Sequence, residues 1–102
     1  YGDTSGAYNF DGNNDVLTAN ATNLPVGDAS RTLCAWVKLN GAQSGNDGVV
    51  AYGRRGVNMN AFGIAMSDSF DFKSFLHNGD VSFQAPVQDD RWIHTCIMRD
   101  QA

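Results

Sequence analysis

Two segments of this chain alternate side chains with a period of two, and that periodicity restricts the fold more than any other feature. Arg31 to Leu39 reads RTLCAWVKL, with Leu33, Ala35, Val37 and Leu39 on one face and Thr32, Cys34, Trp36 and Lys38 on the other. Trp92 to Arg99 reads WIHTCIMR and groups Trp92, His94, Cys96 and Met98. Successive side chains of an extended strand point to opposite faces, so the pattern specifies strands, and no 3.6-residue helical stripe competes with it. The same period orders Ala61 to Met66, grouping Phe62, Ile64 and Met66, and Phe70 to His77, grouping Phe70, Phe72, Ser74 and Leu76. Asn78-Gly79 is a hairpin signal, after which Val81, Phe83 and Ala85 return as a strand. Gly48 to Gly53 fills the middle of the chain. Ala7 to Phe10 and Val16 to Thr18 read as short strands around the turn Asp11-Gly12-Asn13-Asn14-Asp15, and Asn20 to Ser30 is a polar loop holding Pro25.

Seven or eight short strands with turn signals about every ten residues describe an all-β antiparallel sandwich or jelly roll. Composition agrees. All eleven acidic residues are Asp, and Glu, the residue most useful to helices and their caps, is missing. Ten Asn and eleven Gly favour tight turns instead. Apolar residues make up 42% and charged residues 18%, which excludes a disordered chain, and 102 residues suit one domain. No apolar run reaches the roughly 20 residues of a membrane span, so membrane insertion is not expected. The chain opens at Tyr1 with no basic and apolar leader, which is expected if a signal peptide has been removed. A net charge of −4 with two lysines argues against nucleic acid, whose phosphates need a dense basic face, and suits a neutral ligand such as a sugar.

With the strands placed, three segments resemble a known family. Tyr8-Asn9-Phe10-Asp11-Gly12-Asn13-Asn14-Asp15-Val16 is similar to the opening strand and turn of laminin G-like, concanavalin A-like jelly rolls. Arg31 to Lys38, with its AWVK centre, resembles their next long strand, and Asp90-Arg91-Trp92-Ile93-His94-Thr95 resembles their W-x-H strand start. The resemblance covers residues 1–102 as the N-terminal part of such a domain, because members continue for several strands beyond the W-x-H strand. It implies that the sandwich is incomplete here and that a second polypeptide supplies the remaining strands, making an oligomer. The two cysteines resemble the paired positions of pentraxins, cousins of the same fold, where one disulfide links these two strands.

The resemblance therefore implies a Cys34–Cys96 disulfide, and two cysteines in an extracellular-looking chain point the same way. Two buried free thiols and a bond to another chain are the alternatives. A zinc site is not expected from two cysteines with no evident further ligand. Asn20-Ala21-Thr22 is a glycosylation sequon in a loop, so Asn20 is expected to carry a glycan in a secreted protein. For calcium, Asp11, Asn13 and Asp15 offer hard oxygens in one turn, and Asn58 and Asn60 fall near where pentraxins place early calcium ligands. Ordinary Asx turns are the plainer reading of these residues. Trp36 and Trp92 are expected in the core, which leaves Tyr52, beside Arg54 and Arg55, as the exposed ring for a sugar. His94 is expected to be a hydrogen-bonded structural histidine and His77 a surface residue. No serine elbow, HExxH or phosphate loop occurs, and the paired Glu of glycosidase relatives has no counterpart, so catalysis is not expected. These features add up to a secreted, lectin-like carbohydrate-binding domain. An adhesion or structural module that binds protein is the alternative.

Overall fold

The computed structural model describes residues 6–40, 47–54, 61–66, 72–76, 81–83 and 90–100. It contains β1 (Arg31–Lys38), β2 (Asp47–Tyr52), β3 (Phe62–Met66), β4 (Phe72–Leu76), β5 (Val81–Phe83) and β6 (Trp92–Arg99). Among the described residues there is no helix, and so none long and apolar enough to cross a membrane.

Four strands form a meander in the order β2-β3-β4-β5, with every neighbouring pair antiparallel. The first and last strands leave this sheet and pair with each other, β1 running antiparallel to β6. The two sheets bury their facing sides against each other. Phe62, Ile64, Met66 and Phe72 come from the meander, Ile97 from β6, and Leu39 follows β1. Leu33, Ala35 and Val37 of β1 and Ile93 of β6 pack against this cluster, so the alternation in RTLCAWVKL faces the way the apolar residues demand. β3 lies between β2 and β4, and all five of its residues are buried. The register of β2 shifts between Gly48 and Val50, and this irregularity allows consecutive Val49 and Val50 both to pack on the core.

The chain between residues 20 and 30 is fastened to one end of the sandwich. The Arg31 guanidinium lies 4.7 Å from the Phe62 ring centroid and 6.0 Å from that of Tyr52, and its Nη1 donates to the Pro25 carbonyl at 3.0 Å. The Tyr52 hydroxyl donates to the same carbonyl at 2.9 Å. Across the sheet, Arg99 pairs with Asp28 at 2.6 Å, and the Ser30 hydroxyl donates to Asp100 at 3.1 Å. Arg31 and Arg99 are direct cross-strand partners. Two like charges placed opposite each other repel, and these contacts give each guanidinium a separate counterpart.

Two expectations need correction. Ala7 to Phe10 and Val16 to Thr18 are not strands. A strand exists only when its backbone groups find a partner, and no described segment pairs with these residues. Their side chains face water, with Tyr8 and Val16 each 77% exposed. The turn between them does form: the Asp11 carboxylate accepts from Asn13 N at 2.9 Å, and Asp15 Oδ2 accepts from Asp11 N at 3.0 Å. Gly12 has φ of +77°, a conformation that glycine adopts without steric cost. Asn78-Gly79 lies outside the described residues, although β4 and β5 pair antiparallel around it.

Candidate functional site

The outer face of the β1–β6 pair gathers exposed aromatic side chains beside the two cysteines. Inward-facing residues occupy the odd positions of both strands, so the even positions point to solvent. The register sets Cys34 opposite Cys96, Trp36 opposite His94, and Lys38 opposite Trp92. All six residues are exposed, Trp36 by 59% and Trp92 by 54%. The expectation that both tryptophans lie in the core is therefore wrong. Each sits one residue out of phase with the side chains that fill the core, and a strand cannot send adjacent residues to the same side without a bulge.

Within this face the Trp36 and His94 rings stack, with centroids 4.8 Å apart and planes inclined by 27°. Trp92, two residues before His94, is the diagonal neighbour of Trp36 and extends the row. Lys38 ends the row in an ion pair with Asp90 at 3.0 Å. Asp90 has φ of 60°, and its amide donates to the Leu39 carbonyl at 2.9 Å, so the backbone itself sets where this carboxylate sits. Cys34 and Cys96 form a disulfide, as expected, spanning a sequence separation of 62 residues. Free thiols and an interchain bond are thereby set aside. His94 is exposed and stacked on Trp36, and its hydrogen-bond contact is to Cys96 Sγ, 3.9 Å from Nε2.

The other described candidate residues lie outside the β1–β6 pair. Tyr52 is half-buried, its hydroxyl bonded to Pro25 and its ring edge-on to Phe62 at 6.0 Å. Arg54 is exposed, and Arg55 lies outside the described residues. Asp11, Asn13 and Asp15 share one exposed turn in which both carboxylates accept backbone amides, as Asx turns do. Asn58 and Asn60 lie outside the described residues, as does His77. Asn20 is exposed, and its Oδ1 accepts from the amide of Thr22 at 2.9 Å and from the Thr22 hydroxyl. Both bonds use Oδ1, whereas a glycan would be attached at Nδ2.

A family model described as the concanavalin A-like lectin/glucanases superfamily matches residues 11–102, and the chain belongs to that superfamily. No curated protein and no solved structure matches the chain.

Proposed function

We propose that this chain, as a member of that superfamily, is a non-catalytic carbohydrate-binding module of the extracellular space that holds sugar on the outer face of β1 and β6. The observation that carries this reading is the exposed row of Trp36, His94 and Trp92. A pyranose presents a face of C–H groups that packs on an aromatic ring, while its rim of hydroxyls needs polar partners. The row offers the ring surface, and Lys38 and Asp90 stand at its end as donor and acceptor. The reading as a binder rests on the carboxylates. Glycosidases flank the bond they cut with two of them, the chain has no Glu, and Asp90 already engages Lys38.

The disulfide and the exposed sequon at Asn20 support an oxidising, extracellular setting. The β1–β6 sheet has two strands among the described residues, and further strands would extend it edge to edge.

A glycan array followed by titration tests the binding claim. Aromatic stacking contributes about 0.5–1.5 kcal/mol, so Trp36→Ala should weaken sugar binding about two- to tenfold while leaving the Cys34–Cys96 bond intact. Binding unaffected by Trp36→Ala and by Trp92→Ala would remove the basis of the proposal.

A further inference from the structure

One group of side chains on this outer face carries chemistry that sugar binding does not use. Cys34 and Cys96 face each other in the register, and His94 lies two residues from Cys96, on the same side of its strand. His94 Nε2 is 3.9 Å from Cys96 Sγ, and one donor atom from each of the three residues falls within 4.8 Å of the others. Stacking against Trp36 orients the imidazole. All three residues are exposed, so a reductant and an ion reach them without opening the fold. Two cysteines alone make no zinc site. Here the strand register supplies the third ligand.

We propose that reduction of the Cys34–Cys96 bond converts this corner into a binding site for a zinc-like divalent cation. A dithiol reductant delivers two electrons and two protons to the disulfide, leaving two cysteine thiols and its own cyclic disulfide. Binding of the ion then displaces both thiol protons to solvent, and the two thiolates balance the charge of the cation. With zinc–sulfur bonds of about 2.3 Å and zinc–nitrogen bonds of about 2.0 Å, tetrahedral geometry sets sulfur ligands about 3.8 Å apart and sulfur and nitrogen about 3.5 Å apart. The paired strands hold the cysteine Cα atoms 4.1 Å apart, which the first spacing permits once the sulfurs are free. The observed 3.9 Å is already close to the second. Water fills the fourth position. The oxidised protein has no thiolates to offer, so the site belongs to the reduced form alone. This inference is independent of sugar binding.

Cobalt(II), a coloured substitute for zinc, tests it on the whole protein after reduction with a dithiol and desalting under nitrogen. The reduced protein should take up one cobalt per chain, with a thiolate-to-cobalt charge-transfer band and the visible absorption of a four-coordinate ion. The oxidised protein and the Cys34→Ser/Cys96→Ser variant should show neither. His94→Gln, an exposed substitution, should weaken binding at least about tenfold, since even outer-shell changes cost that much, and should alter the visible bands. Equal affinity in His94→Gln, equal affinity in denaturing urea, or no one-to-one binding by the reduced protein would each overturn the proposal.

Discussion

Removing the Cys34–Cys96 bond isolates the effect of a cross-link with unusual clarity, because both cysteines lie outside the core. The buried cluster of Leu39, Phe62, Ile64, Met66, Phe72 and Ile97 contains neither of them, so Cys34→Ser/Cys96→Ser opens no cavity and buries no hydroxyl. What remains is the constraint on the unfolded chain. For a separation of 62 residues, loop-closure entropy gives about 4 kcal/mol. In a domain of this size that corresponds to a fall of roughly 16–32 °C in melting temperature. Urea unfolding of the oxidised protein, the reduced protein and the double serine variant, all with chelator present, provides the measurement. The two uncross-linked forms should agree with each other and lie about 4 kcal/mol below the oxidised one. A loss under about 1 kcal/mol, or a serine variant much less stable than the reduced protein, would refute the reasoning, since either result means that the cysteines act through native-state contacts.

Ile64 has no exposed surface, so Ile64→Ala should cost about 2–5 kcal/mol, whereas Met98→Ala, at a side chain 77% exposed, should change stability by no more than about 0.5 kcal/mol; urea midpoints compare the two. Asn20 should carry a glycan in material from a eukaryotic secretory pathway, and peptide mass spectrometry that finds only unmodified Asn20 would contradict the extracellular reading.

The strands carrying a strong period of two were legible in the sequence. RTLCAWVKL and WIHTCIMR became β1 and β6, and the inward face of β1 followed from its aliphatic residues. The outward face of β6 was harder, because Trp92, Cys96 and Met98 are as apolar as Ile93 and Ile97 on the other side. A signal was nevertheless present. Cys34 alternates with the inward residues of β1, so a disulfide between neighbouring strands obliges Cys96 to face outward too, and Trp92 and His94 with it. The false strands at Ala7 to Phe10 and Val16 to Thr18 have a different cause. Alternation states that a segment suits a sheet, but pairing depends on whether a partner edge is present, and that is not a local property. Burial of Arg31 had no sequence signature either, since it depends on Pro25, Tyr52 and Phe62 converging from three parts of the chain.

The most direct test of sugar binding on the β1–β6 face uses the fact that the chain has two tryptophans, Trp36 and Trp92, and both lie there. Their indole N–H resonances in a nitrogen-15 correlation spectrum therefore report on the proposed site with no background from elsewhere. Titration with a glycan selected on the array should shift both indole signals and the ring signals of His94, saturating at the affinity found by calorimetry. If the ligand saturates while both indole signals stay in place, and the shifts fall instead around Tyr52 or the turn at residues 11–15, the outer face is not the binding site.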